Sequence, residues 1–215
     1  GNADNALIKG LNLSAGYSQT EADFSRSRIY ANADYALNVS IVSLTPYVSF
    51  STENDADTIA TYQADKALTT IAAGAGLSTT PLDVFLAPSL IGAVNYRTAT
   101  HTPFGGLADW TATELQWSVG LVLNEFIFDN SKLTAKYGSW TGTNVSNVTN
   151  TRGAGDGATD ISAGDANNGE DQSTTGYEII WNYWDLQFAY GVYENTDARG
   201  SASAQAFSIA YTVSF

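Results

Sequence analysis

Apolar and polar residues alternate with a period of two along most of this chain. Between residues 7 and 17 the odd positions are mostly apolar, as at Leu11, Leu13 and Tyr17, whereas the even positions include Gly10 and Asn12. Successive side chains of a β-strand point to opposite faces, so this pattern predicts a strand with one apolar face and one small or polar face. Similar patterns predict ten strands, at 7–17, 29–38, 44–50, 68–78, 82–98, 111–123, 131–142, 174–183, 186–194 and 203–215.

The predicted connections differ in length, and short and long ones alternate along the chain. The mostly short ones are 39–43, 79–81, 124–130 and 184–185, and the longer ones are 19–27, 52–67, 99–110, 143–173 and 195–202. All long loops then emerge at one edge of the sheet and all short turns at the other. Alternating strands alone also fit a soluble sandwich, but this sorting of the loops is typical of an outer-membrane barrel.

Aromatic residues fall near both ends of the predicted strands. Those near the short turns are Phe126, Phe128, Tyr183, Trp184 and Phe215, and those towards the long loops are Phe50, Tyr96, Trp110 and Tyr177. Two such groups predict the aromatic belts that flank the apolar band of a membrane barrel. The alternative is that these rings cap the core of a soluble domain.

Composition narrows the class of protein further. The chain has 215 residues, which suits one large β domain over 1–215. It has 22 acidic and 9 basic residues, a net charge of −13 that disfavours nucleic acid as a partner. It has no cysteine and no methionine, so we expect a processed chain or a fragment. No apolar run approaches the roughly 18 residues of a membrane helix, so any membrane crossing must use strands.

The last ten residues, AFSIAYTVSF, carry a specific pattern. Phe207, Ile209, Tyr211, Val213 and Phe215 occupy every second position, and the chain ends on an aromatic ring. This strand resembles the C-terminal insertion signal of Gram-negative outer-membrane β-barrel proteins. The resemblance implies an all-β, antiparallel, up-and-down transmembrane β-barrel of about ten strands in the bacterial outer membrane. Its implied partners are outer-membrane lipid and the barrel-assembly machinery, and its general character is porin-like.

The polar face of the predicted strands would then line the inside of the barrel. It consists mostly of small residues, which predicts water-filled space, although glycines that relieve crowding or a loop folded inward are the alternative. A few charged residues share this face: Asp34, Asp83, Arg97, Glu114, Lys136 and Glu178. Of these, we expect Asp34, Arg97, Glu114, Lys136 and Glu178 to line a pore. Counted from the short turns, Lys136 and Glu178 reach the same height, so they are expected to pair.

These features favour an outer-membrane channel for passive diffusion of small hydrophilic solutes or ions, with a weak preference for cations. The alternative is a closed structural or surface-binding barrel that acts through its extracellular loops. Both a monomer and a homo-oligomer fit the sequence.

Enzymatic and metal chemistry have little support. His101, the single histidine, is expected to be a solvated loop residue, and no serine or carboxylate motif accompanies it, so we expect neither catalysis nor a cofactor. In the Gly- and Asp-rich segment 151–172, Asp165, Asn167 and Asp171 have the spacing of calcium ligands. Gly169 stands where another ligand is needed, so a mobile surface loop is favoured.

Overall fold

A computed structural model describes residues 9–21, 25–55, 65–103, 109–145, 170–197 and 200–211. Within these residues the chain forms eleven β-strands. They are β1 (Leu11–Glu21), β2 (Ser25–Tyr35), β3 (Leu37–Val39), β4 (Val42–Asp55), β5 (Asp65–Thr79), β6 (Pro88–Pro103), β7 (Trp110–Leu123), β8 (Ser131–Val145), β9 (Glu170–Tyr183), β10 (Leu186–Asp197) and β11 (Gly200–Tyr211). In this part of the chain, no helix is long and apolar enough to cross a membrane.

All strands belong to one antiparallel sheet in which neighbours in sequence are neighbours in space. The short β3 continues β2, because both pair with β4 in one unbroken register, from Asp34 opposite Tyr47 to Leu37 opposite Leu44. Only Ala36 interrupts them, and its backbone N–H donates to the carbonyl of Gly10 at 2.8 Å. The sheet therefore has ten long strands, and the predicted strand number is confirmed.

The two faces of the sheet differ as the alternation predicts. One face, here called the apolar face, exposes large side chains on strand after strand, including Leu13, Val48, Ile71, Val119 and Ile209 at 50% to 63% of their full accessible surface. A water-soluble domain rarely exposes an apolar surface that continues over a whole sheet, because it would associate or aggregate. This face is suited to contact with lipid.

The segment 80–87 is a turn and not the start of a strand, so the predicted strand 82–98 is wrong at its first six residues. Leu86 and Ala87 have φ angles of 68° and 41°, and the N–H of Ala87 donates to the carbonyl of Val84 at 2.8 Å. The strand begins at Pro88. Proline has no backbone N–H, and at the first residue of a strand this removes no hydrogen bond from the interior of the sheet. Asp83 consequently lies in the turn and not on the polar face.

At the opposite edge of the sheet the strands extend into the predicted loops. β6 continues to Pro103, so His101 is a strand residue with only 3% of its surface exposed, and its assignment to a solvated loop is wrong. Its ring stacks on Trp110 with a centroid distance of 3.8 Å and an interplanar angle of 4°. Because Trp110 pairs with His101 on the polar face, it does not belong to the aromatic belt of the apolar face.

Aromatic side chains cluster near the short turns. Phe128 contacts Tyr183 with ring centroids 5.7 Å apart, and Trp181 stacks on Phe188 at 5.5 Å. The indole N–H of Trp181 donates to the hydroxyl of Ser131 at 2.8 Å. Trp181 and Phe188 pair on the apolar face, where an amphipathic ring with one satisfied polar group is typical of the membrane–water interface, whereas Trp184 lies in the turn beyond the strand ends.

The sheet begins at β1 and ends at β11. Within the described residues no ladder joins these two strands, and every described side chain of β11 is exposed. Phe207, Ile209 and Tyr211 lie on the apolar face, each more than half exposed. Val213 and Phe215, the remaining residues of the C-terminal pattern, lie outside the described residues.

Candidate functional site

The five charged residues predicted to line a pore all lie on the polar face of the sheet. Arg97 pairs with Glu114 across β6 and β7, and Lys136 pairs with Glu178 across β8 and β9. Asp34 lies on the same face of β2, opposite Asn12 and Tyr47. The ladder registers therefore bring four of these side chains together as two directly opposed pairs of opposite charge.

Lys136 and Glu178 form an ion pair with 2.6 Å between Nζ and Oε2. Each lies five residues from its strand end at the short-turn edge, Ser131 for β8 and Tyr183 for β9. Their side chains keep 35% and 30% of their surface exposed, so solvent still reaches both charges. The pair thus neutralises two charges locally without removing either one from water.

The second pair lies nearer to the long-loop edge and includes an aromatic donor. A guanidinium nitrogen of Arg97 lies 3.6 Å from Oε1 of Glu114, and the indole N–H of Trp140 donates to Oε2 of the same carboxylate at 3.1 Å. The Glu114 side chain is only 13% exposed. A carboxylate this sheltered is stable when both of its oxygens have partners, which this arrangement provides.

Two further polar contacts occur on this face. Nε of Arg28 lies 3.3 Å from Oε1 of Glu53 in an ion pair between β2 and β4. The prediction missed it because the strands were expected to begin at 29 and end at 50. The amide of Asn12 donates to a carboxylate oxygen of Asp34 at 2.9 Å. The partner of Asp34 in this contact is therefore a neutral amide and not a cation.

Large side chains cover several glycines of the polar face, so small residues alone do not describe it. A Cβ on Gly191 would lie 2.5 Å from the hydroxyl of Tyr193, and one on Gly176 would lie 2.6 Å from Cδ1 of the same ring. Tyr30 covers Gly16 in the same way. Aromatic rings that cover the glycines of the sheet reduce the free space inside a barrel, although the face between these rings remains polar.

The polar face is closely packed near the long-loop edge of β6, β7 and β8, and it is also buried at Val122, 3% exposed, near the short-turn edge. Ala99, His101, Ala112 and Val145 are each no more than 4% exposed. This region is packed, in contrast to the partly exposed Lys136 and Glu178.

The predicted calcium loop lies mostly outside the described residues, including Asp165 and Asn167. Asp171 is described, and it belongs to β9, where its carboxylate accepts the backbone N–H of Asn144 at 2.9 Å. Among the residues that the structure describes, no three His, Cys, Asp or Glu side chains come together in a way that could hold a metal ion.

Comparison with known proteins agrees with this architecture. The family model described as "S-layer protein SlpA, beta-barrel domain" matches residues 1–215. The chain is 32% identical over 231 residues to an outer membrane protein SlpA of Thermus thermophilus, covering 100% of this chain and 24% of the relative. It is 31% identical over 240 residues to the outer membrane protein SlpA of Deinococcus radiodurans, covering 100% of this chain and 20% of that relative. The chain thus spans between a fifth and a quarter of the length of these relatives.

Proposed function

Because the chain belongs to the family of S-layer protein SlpA β-barrel domains, which lie in the bacterial outer membrane, we propose that its barrel is a channel for passive diffusion. The solutes are small and hydrophilic, and cations pass slightly better than anions. The observation that carries this proposal is the partly exposed Lys136–Glu178 pair on a sheet whose other face is suited to lipid.

Charges on the polar face support weak selectivity. The ion pairs of Arg28, Arg97 and Lys136 each combine one positive and one negative charge, so each contributes little net field. Asp34 adds a negative charge whose observed partner is a neutral amide. The chain as a whole has 22 acidic against 9 basic residues. A wall with a small negative excess raises the local concentration of cations modestly.

The size of the effect follows from electrostatics. A unit charge about 7 Å from the ion path contributes about 0.6 kcal/mol in water, which is close to the thermal energy. In 0.1 M salt the Debye length is about 10 Å, which roughly halves this value. Cations and anions respond with opposite sign, so removing one wall charge changes the permeability ratio about threefold. In 1 M salt, with a Debye length of about 3 Å, the change shrinks to about 1.2-fold.

Reversal potentials in planar bilayers under a salt gradient test the proposal with single variants of the full-length protein. Glu178→Gln leaves the charge of Lys136 uncompensated and should lower the cation preference, whereas Lys136→Gln should raise it. Glu194→Gln is the matched control, because this exposed carboxylate lies on the apolar-face side of β10 near the long-loop edge. If the parent conducts and the two pair variants keep its selectivity, the pair does not line the conducting path.

A second candidate function has its own support. Ala99, His101, Ala112 and Val145 are packed near the long-loop edge, and tyrosine rings cover polar-face glycines, as expected for a closed barrel that acts through its loops. The absence of discrete conductance steps from folded, purified protein would favour this closed barrel.

A further inference from the structure

The turns at the short-turn edge of the sheet expose large apolar side chains at their tips. We name the four turns 40–41, 80–87, 124–130 and 184–185 the short-turn rim. On successive turns the exposed side chains are Ile41 at 47%, Phe85 at 89%, Ile127 at 67% and Trp184 at 69%. Tight turns favour glycine, asparagine, aspartate and serine. Turn geometry therefore does not explain a large apolar side chain on every turn of this edge.

Two of these four residues, Ile127 and Trp184, and also Leu86 beside Phe85, adopt an unfavourable backbone conformation. The φ angles are 68° for Leu86, 67° for Ile127 and 52° for Trp184. Residues other than glycine rarely have a positive φ, and a β-branched residue such as isoleucine is a genuine outlier there. Such a conformation costs free energy, and residues that adopt it cluster at functional sites.

Hydrogen bonds between neighbouring turns hold the rim together. The backbone N–H of Asn124 donates to the carbonyl of Leu86 at 3.0 Å, and its side-chain amide donates to the carbonyl of Ala87 at 2.7 Å. The N–H of Trp184 donates to the carbonyl of Asn130 at 3.4 Å. The apolar tips are therefore fixed relative to one another, and a preorganised surface loses less entropy when it binds a partner.

Charge distinguishes between the possible occupants of this surface. The four turns contain Asp83, Glu125, Asp129 and Asp185 and no lysine or arginine. Segments that dock on anionic lipid headgroups combine apolar residues with lysine and arginine, and acidic residues oppose that attraction. Apolar tips interleaved with carboxylates instead complement a polypeptide that presents both apolar and basic side chains.

We propose that the short-turn rim is a docking surface for a basic, amphipathic polypeptide segment. Its apolar side chains pack against Phe85, Ile127 and Trp184, and its lysines or arginines face the carboxylates between them. This proposal does not depend on whether the barrel conducts ions, because the rim lies outside the polar face.

A synthetic helical peptide with leucine on one face and lysine on the other is a suitable probe. Its binding to the full-length protein in lipid nanodiscs is measured by fluorescence anisotropy. We expect saturable binding that Phe85→Ser and Asp129→Asn each weaken about tenfold, as for residues central to an interface. The matched controls are Tyr17→Ser and Glu194→Gln, which remove an exposed aromatic ring and a carboxylate near the opposite edge, and both should bind like the parent.

Two results would overturn the proposal. One is a lack of specificity: a peptide in which glutamate replaces lysine binds equally, which would show that the carboxylates do not select a basic segment, or the control variants weaken binding equally, which would show nonspecific attraction to an acidic protein. The other is quenching of Trp184 fluorescence by brominated lipids, which would place the rim in the headgroup layer. The signal of Trp184 is obtained by subtracting the fluorescence of Trp184→Phe from that of the parent. Phe85 is 89% exposed, so its substitution leaves folding intact, and gel mobility of the folded barrel verifies this.

Discussion

Two glycines on the polar face of β5 provide a matched test of how closely this face is packed. Gly74 and Gly76 are two residues apart on one strand, so they point to the same side. A Cβ on Gly74 would contact the backbone carbonyl of Val94 and would lie 2.7 Å from Cε1 of Tyr47, whereas a Cβ on Gly76 would have nothing within 4 Å. Alanine should therefore be excluded at the first position and accepted at the second.

The magnitude follows from two opposing effects. Replacing glycine by alanine within a strand lowers the conformational entropy of the unfolded chain, which stabilises the fold by roughly 0.5–1 kcal/mol. This gain is the same at both positions. Only Gly74→Ala also forces a side chain into occupied space, which costs about 1–3 kcal/mol. The two variants should consequently differ in the free energy of unfolding by about 1–3 kcal/mol, with Gly76→Ala at least as stable as the parent.

Urea unfolding of the protein in lipid vesicles, followed by tryptophan fluorescence, measures this difference directly. The ring of Tyr47 can rotate away from a new methyl group, but the carbonyl of Val94 belongs to a paired strand and cannot. Equal stability of the two variants, or a less stable Gly76→Ala, would refute the packing described for the polar face.

Two further predictions concern orientation and assembly. Protease added to intact cells should cut first within 151–172, and cleavage near Asp185 instead would reverse the orientation of the barrel. Removal of Phe215 should reduce the amount of assembled protein in outer-membrane fractions much more than Ser208→Ala, because the aromatic pattern and not the small residues forms the predicted insertion signal; equal effects would contradict this.

Period-two alternation was sufficient to predict the faces and the number of the strands. Side chains at even spacing share a face whatever the strand boundaries are, so alternation places Lys136 and Glu178 on one face, and counting from the short turns gives them equal height. The split between β2 and β3 did not disturb the number, since Ala36 interrupts the strand without changing its register.

The strand ends were predicted less well. Leu82, Val84 and Leu86 alternate as a strand would, but the turn is held by backbone bonds that alternation does not encode, such as that from Leu82 to Pro88. Near the opposite edge, residues 98–103 contain no large apolar side chain at alternate positions, so alternation does not predict the extension of β6 or the stacking of His101 on Trp110. His101 stacks on Trp110 because the register between β6 and β7 places them opposite each other. That register can be predicted only when the ends of both strands are known.

Single-channel recording of the purified full-length protein in planar bilayers tests the central proposal most directly. An open barrel with a polar inner face predicts discrete conductance steps, with reversal potentials that show a slight preference for cations in 0.1 M salt and almost none in 1 M salt. Protein that is folded by its heat-modifiable gel mobility but gives no steps would contradict the channel.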